Sequence, residues 1–254
     1  MLASIRKVVV DTPLEPLARW AYVRFWPGKS ALYDRQTLAV LNRVLRPDSN
    51  AVDVGAHRAG LLREIVRLAP RGRHLAVEPI PGLAAALRRN WPMVEVRQAA
   101  LGAEPSSVEF LHVVSDPGIS GMRRTVNVND DHRTEIIKVP VERLDDLVPA
   151  DRQLALIKID VEGAEYGVLQ GGAETIRRCR PVVVFECGLG VADKYLAQPA
   201  EATFDLLAVL GLQVGLMGYW LAGGQPFTRD EFLDQFYGQR NYYFLAADWS
   251  ASRH

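Results

Sequence analysis

The chain has 254 residues, 48% hydrophobic and 24% charged, with 30 basic residues balanced by 30 acidic ones. That size predicts one large α/β domain, or one domain with elaborations, able to bury its core without staples. A formal charge of zero argues against nucleic acid as a partner, because such binding shows as a basic excess.

The opening stretch MLASIRKVVVDTPLEP has too short an apolar run for a signal-peptide core, and no 18-residue apolar run follows. A cytoplasmic protein without a transmembrane segment is the expectation. Leu14–Trp26 mixes apolar and aromatic residues with Arg19 and Arg24, and packing on the domain is preferred over contact with a membrane surface. Leu38, Leu41 and Leu45 fall at helical spacing, which predicts a helix over 31–45 stopped by Pro47. Residues 1–47 are assigned as an N-terminal helical extension and 48–254 as the main domain.

From residue 50 the pattern alternates. AVDV (51–54), HLAVE (74–78) and VEVRQAA (94–100) read as strands, separated by helices over 60–68 and 82–90. Strand and helix alternating at this spacing predict a parallel sheet with right-handed crossovers. The segments 107–113 and 135–142 alternate apolar and polar residues around a polar loop at 115–133, which predicts an antiparallel insertion. The parallel pattern resumes with LALIKID (154–160), a helix over 164–178, PVVVFE (181–186), a helix over 200–210 and LQVGLM (212–217). NYYFLAA (241–247) closes the chain as an antiparallel strand. The predicted fold is a Rossmann-like α/β domain: a mostly parallel doubly wound sheet with an antiparallel last strand and a small β insertion. Cys179 and Cys187 form no CxxC pair and have no histidine cluster beside them, so reduced, buried thiols are expected.

Candidate chemistry gathers at the predicted strand ends. The first strand runs into Asp53-Val54-Gly55-Ala56-His57-Arg58-Ala59-Gly60 and then a helix, a place where backbone can approach a ligand closely. Gly55 and Gly60 occupy the outer positions of a G-x-G-x-x-G loop, but His57 replaces the central glycine that admits a pyrophosphate. A carboxylate at Asp53 repels phosphate and attracts an ammonium or sulfonium group, although an Asp that only caps the turn fits as well. Glu78, at the end of the second strand and followed by Pro79, has the spacing of an acid that takes both ribose hydroxyls. Ala99 and Ala100 are small enough to leave space for an adenine ring.

The most specific segment is Lys158-Ile159-Asp160-Val161-Glu162-Gly163-Ala164-Glu165. Asp160 falls at the carboxyl end of a strand, where open α/β sheets bind ligands. Glu162 and Glu165 fall at a helix start, where the macrodipole favours negative charge, and for Glu165 that reading is preferred. Glu186 ends the neighbouring strand. Converging carboxylates can bind a metal, orient a hydroxyl or act as a general base.

The set VDVGAHRAG, AVEP, VERLDDL, IKIDVEGAEYGVLQGG and VVVFE resembles the FkbM-type family of S-adenosylmethionine-dependent methyltransferases over about residues 50–190. The resemblance implies O-methylation of hydroxyl groups, often on sugars or polyketide-like products, with S-adenosyl-L-methionine as cofactor. It places Asp53, Gly55, Glu78 and Asp160 in the cofactor pocket; Ala56, His57, Gly60, Pro79, Ala99 and Ala100 are assigned there by position. The family usually has Asn where this chain has His57, which adds a titratable group. Candidate bases are Asp160, His57, His132 and Glu186, with a divalent metal left open as an aid to ionising the hydroxyl. Glu162, the Arg123-Arg124 pair, Tyr219 and Trp220 are assigned to the acceptor, expected to be a saccharide or glycosylated metabolite. A solvated charge pair is an equal reading of the arginines, and an aromatic stripe is more often core. A homodimer stays open. A nicotinamide-dependent oxidoreductase and a non-catalytic cofactor-binding scaffold are the alternatives on this fold.

Overall fold

The computed structural model describes residues 28–115, 120–122, 133–188 and 200–250. The predicted site residues Arg123, Arg124 and His132, and the segment Leu14–Trp26, lie outside the described residues. The chain opens with helix α1 (Lys29–Val44), then β1 (Asn50–Val54), α2 (Leu62–Leu68), β2 (Leu75–Val77), α3 (Pro81–Asn90) and β3 (Glu95–Arg97). A second group follows: β4 (Ala100–Leu101), β5 (Ser106–Val113), β6 (Gly121–Met122) and β7 (Thr134–Glu142). The main sheet then resumes through α4 (Leu144–Leu147), β8 (Leu154–Ile159), α5 (Glu165–Gly171), α6 (Ala173–Cys179) and β9 (Val182–Glu186). It ends with α7 (Ala200–Val209), β10 (Gln213–Gly215), α8 (Met217–Leu221), α9 (Arg229–Tyr237) and β11 (Tyr243–Ala247).

The main sheet has seven strands in the order β10-β11-β9-β8-β1-β2-β3. All pair in parallel except β11, which runs antiparallel to both β9 and β10. The alternation of each strand divides its residues between two apolar layers. Val52, Val54, Ile157, Ile159, Val183, Phe185 and Phe244 face one layer, packed with Leu144, Leu169, Ile176, Leu207 and Phe232 of the helices. Ala51, Leu156, Val184 and Leu245 face the other, packed with Tyr33, Val40 and Leu41 of α1, Ile65 of α2 and Trp220 of α8. Helix α1 therefore shares a core with the sheet. Fully burying a side chain such as Phe185 contributes about 1.5–3 kcal/mol, which is what holds the layers together. No helix among the described residues is long and apolar enough to cross a membrane.

Two expectations need correction. The strand predicted over 94–100 is split, because the chain leaves the main sheet after Arg97 and enters the four-stranded sheet β4-β7-β5-β6 at Ala100. There Ala100 packs with Ile80, Phe110, Val139 and Val141 in a small separate core. The helix predicted over 164–178 is two helices that meet at Gly172. Glycine is required at the junction, since a Cβ on Gly171 would collide with the Gly102 carbonyl and one on Gly172 with the Leu144 side chain. Helical periodicity continues across that break, so hydrophobic spacing does not reveal it.

Candidate active site

The register of the main sheet shows which side chains meet. Val54 pairs with Val77 and with Ile159, Ile159 pairs with Phe185, and Glu186 pairs with Tyr243. Continued by one residue, that register sets Glu78, Gly55, Asp160, Glu186 and Tyr243 in a single row across five strands at the carboxyl edge of the parallel strands. In the row beneath, Asp53 pairs directly with Lys158. Each of these residues shares a face with the apolar stripe Ala51, Leu156, Val184 and Leu245, so the stripe turns polar where the sheet ends.

The two loops of the edge lean on each other. Gly55 has φ +77°, and a Cβ there would collide with the Asp160 carbonyl oxygen. Beyond it His57 (φ 47°) and Ala59 (φ 64°) also take left-handed conformations, as does Glu162 (φ 55°) across the cleft. Non-glycine residues in this region cost on the order of 1–3 kcal/mol each and concentrate where function demands a particular shape. Gly60 is exposed and a Cβ there meets nothing, so the protein itself does not require its glycine.

Glu78 is buried and holds the first loop in place. Its Oε2 accepts the His57 backbone N–H at 2.8 Å and its Oε1 accepts the Ile80 N–H at 3.0 Å. Burial raises its pKa, against those two hydrogen bonds and the charge of Lys158. Each oxygen keeps a further lone pair for a ligand hydroxyl. Pro79 is half-buried beside it, and Ala56 is buried against Ala59, Leu62 and Ala76. Ala99 and Ala100 are both buried, and Ala100 packs in the second core.

Lys158 is the cation of the site, and sequence reasoning assigned it no role. Its ammonium lies 3.4 Å from Asp53 Oδ1 and 3.6 Å from Asp160 Oδ2. It also donates to the carbonyls of Gly55, at 3.0 Å, and Val54, at 3.4 Å. Burial would lower its pKa, but the charges of Asp160 and Asp53 raise it, so the ammonium stays charged. Asp53 is 1% exposed and neither of its carboxylate oxygens has a hydrogen-bond partner; full burial raises its pKa, against the pull of Lys158. The signal was available: Lys158 is the one charge within the apolar run LALIKI.

Asp160 is half-buried. It accepts a 2.7 Å hydrogen bond at Oδ2 from the hydroxyl of Tyr243, the second residue that sequence reasoning missed. Burial would raise Asp160, yet the Lys158 charge and hydrogen bonds from Tyr243, Glu186 and Lys158 hold it below the usual carboxylate range. Glu186 moves the opposite way, pushed up to about 9 by burial and by the neighbouring charges of Asp160 and Glu162. At neutral pH Glu186 is thus protonated and Asp160 ionised, two carboxyls sharing one proton. Carboxylate oxygens of Asp160, Glu162 and Glu186 lie within 4.8 Å of one another, a grouping that could hold a metal ion.

Glu165, expected to act through the helix dipole, does something more local. Buried at the first turn of α5, its Oε1 accepts the N–H groups of Val161 and Gly163, both at 3.1 Å. Burial pushes its pKa up to about 7. The aromatic assignments divide. Trp220 is 5% exposed, inside the core beside α1 and under the Arg43 guanidinium at 4.9 Å, which removes it from any acceptor wall. Tyr219 is 52% exposed against the edge of Phe227, just past β10 at the outer margin of the sheet.

Taken together, the strand order, the antiparallel β11 and the acid-lined edge define a Rossmann-like domain of the class I methyltransferase arrangement. The comparisons with known proteins agree. The family described as Methyltransferase FkbM domain matches residues 53–200, more than half of the chain, and the protein belongs to that family. It is 30% identical over 145 residues to Methyltransferase 1 of Beauveria bassiana, covering 49% of this chain and 58% of that one. It is 27% identical over 197 residues to 2-O-methyltransferase NoeI of Sinorhizobium fredii, covering 71% of this chain and 79% of that one. The crystal structure of Methyltransferase FkbM from Methylobacillus flagellatus superposes with a TM-score of 0.45 at 16% identity, over 83% of this chain and 50% of that one. The chain thus spans little more than half of the first of these relatives and half of the solved one. Family membership displaces the nicotinamide-dependent alternative.

Proposed function

We propose that the protein is an S-adenosylmethionine-dependent O-methyltransferase acting on a hydroxyl group of a saccharide or glycosylated metabolite. The observation that carries the reading is Asp160, an ionised, half-buried carboxylate in one row with Gly55 and Glu78. The family supports methyl transfer, and the relative named a 2-O-methyltransferase supports oxygen as the acceptor atom. The residues fit the cofactor on their own chemistry. Asp53 offers a buried carboxylate paired with Lys158 at 3.4 Å, and the edge is acidic, which suits a cationic ligand better than a phosphate.

When bound, S-adenosylmethionine supplies a methyl group on positively charged sulfur. Glu78 takes the ribose hydroxyls with the lone pairs its backbone contacts leave over. Gly55 keeps the first loop against the Asp160 carbonyl, so cofactor side and acceptor side hold a fixed spacing. Asp160 receives the proton that the acceptor hydroxyl loses. A carboxylate is too weak a base to ionise an alcohol beforehand, but the hydroxyl proton becomes strongly acidic as the new oxygen–carbon bond forms. The demand on Asp160 is therefore to be ionised and in place, and positioning is the larger contribution, on the order of 7–11 kcal/mol in well-oriented systems. His57, on the first loop, is the second candidate for that proton.

The test is Asp160→Asn, assayed with radiolabelled S-adenosylmethionine and a panel of methyl glycosides and simple alcohols. Turnover is expected to fall by about 10²–10⁴-fold, with S-adenosylhomocysteine affinity retained by calorimetry. Wild-type turnover in the folded variant would remove Asp160 from the reaction.

A further inference from the structure

We propose that Tyr243 is a positioning residue for the Asp160 carboxylate, and that α1 holds it in that role through Tyr33. The proposal rests on the reading of Asp160 as the group that takes the acceptor's proton.

Two donors converge on one oxygen. The Tyr243 hydroxyl donates to Asp160 Oδ2 at 2.7 Å and the Lys158 ammonium stands 3.6 Å from the same atom. Both hold the same oxygen, so this pairing fixes the rotation of the carboxylate. Side-chain carboxylate rotation is otherwise broad, and a base that turns away loses its alignment.

Tyr243 is itself gripped. Its ring stacks on Tyr33 of α1 at 5.6 Å with an interplanar angle of 27°, and Tyr33 donates its hydroxyl to Asn241 Oδ1 at 2.8 Å. Asn241 in turn donates to Gln235 Oε1 of α9 at 2.7 Å. The first turn of α1 adds a Ser30–Tyr242 hydroxyl contact at 3.0 Å, and Lys29 donates to the carbonyls of Arg240, at 2.7 Å, and Gln239, at 3.2 Å. Both α1 and β11 lie outside the family-matched residues 53–200. The shared segment supplies Asp160 and Lys158, and the flanks supply Tyr243 with the contacts that grip it.

The charges around Asp160 make the tyrosine consequential. Lys158 faces it from its own strand, Asp53 from β1, Glu162 and Glu165 from the loop and α5, Glu186 from β9 and Tyr243 from β11. Among the described residues, several acids meet a single cation there. A hydrogen bond donated to the ionised form favours that form, so removing the phenol hydroxyl lets Asp160 take up a proton more readily.

The experiment uses the full chain with S-adenosylhomocysteine bound and aspartate carboxyl carbons labelled for NMR titration. Tyr243→Phe keeps the ring on Tyr33 and deletes only the donor. Its Asp160 titration midpoint is expected to rise by about one pH unit or more, with cofactor affinity unchanged by calorimetry. With methyl glycosides as acceptors, kcat at neutral pH should fall about tenfold, the acid limb of the profile should move to higher pH, and KM should barely change. Tyr33→Leu, which removes the stacked ring and spares the phenol, should shift the midpoint the same way by less. An unmoved midpoint in folded Tyr243→Phe overturns the proposal; if that variant does not fold, an unmoved midpoint in Tyr33→Leu does so. Wild-type turnover in Asp160→Asn would instead sink the proton-acceptor reading, whatever the titration shows. A dead Asp160→Asn with an unmoved midpoint would sink only the role of Tyr243.

Discussion

At the tips of β1 and β2 the key acid, Glu78, is tied by backbone N–H groups, whereas at the tips of β8, β9 and β11 Asp160 is tied by other side chains. The first half of the edge is thus a device of shape: a left-handed turn, a glycine against a carbonyl, and a carboxylate clamping a loop. The second half is a device of charge, in which Lys158, Tyr243 and a protonated Glu186 keep one carboxylate ionised. Shape can be set by a few neighbouring residues. Charge of this kind needs groups from several strands, one of them 83 residues from its partner.

The sharpest way to break the comparison is Gly55→Ala. An alanine there has to adopt the left-handed φ of +77°, and its Cβ collides with the Asp160 carbonyl. The conformation costs about 1–3 kcal/mol before the collision is counted. S-adenosylhomocysteine binding should vanish by calorimetry, and the unfolding temperature should fall by at least about 4 °C. A tolerated alanine would mean that the first half does not depend on shape.

Glu78→Ala should act more mildly. It leaves the His57 and Ile80 N–H groups without their acceptor and removes two hydrogen bonds to ribose, each charge-assisted contact contributing about 1.5–3 kcal/mol. Cofactor affinity should weaken at least about tenfold, with some loss of stability. Unchanged affinity would reduce Glu78 to a loop clamp.

The smallest effect sharpens the contrast through pH. Glu165 titrates near 7 in the folded protein, above its ordinary value of 4.5, so between those limits the folded state binds more protons than the unfolded one. Its contribution to stability is complete below pH 4.5 and is lost as pH rises to about 7. Glu186 acts in the same direction up to about 9. Thermal unfolding across pH 5–8 should show a shallower fall in Glu165→Gln than in the wild type, since glutamine still accepts from Val161 and Gly163. Equal slopes would locate the proton elsewhere.

Legibility in the sequence follows the same division. Gly55, Glu78, Asp160 and Glu186 stand at the ends of short apolar runs, so the strand pattern put them at one edge, and the family resemblance gave the first three, with Asp53, their pocket. The inserted sheet was readable from the alternation of β5 and β7, although its β4–β7 pairing is parallel. Lys158 was on view within its strand, but its meaning depends on the register against Asp53. Tyr243 carries no local signal, since only the antiparallel pairing of β11 with β9 brings its hydroxyl to Asp160. Trp220 misled because an aromatic residue has the same pattern in a core as on an acceptor wall. The break at Gly172 escaped because the apolar periodicity runs on across it, and the Gly171-Gly172 pair that marks it was passed over.

The most direct test of the account is a crystal structure of the full chain with S-adenosylhomocysteine. The account expects the ribose hydroxyls on Glu78, and the sulfur turned toward Asp160 across an open space that admits an acceptor hydroxyl, with Tyr243 still on Oδ2. A sulfur directed away from Asp160, or a ribose that does not touch Glu78, would contradict it.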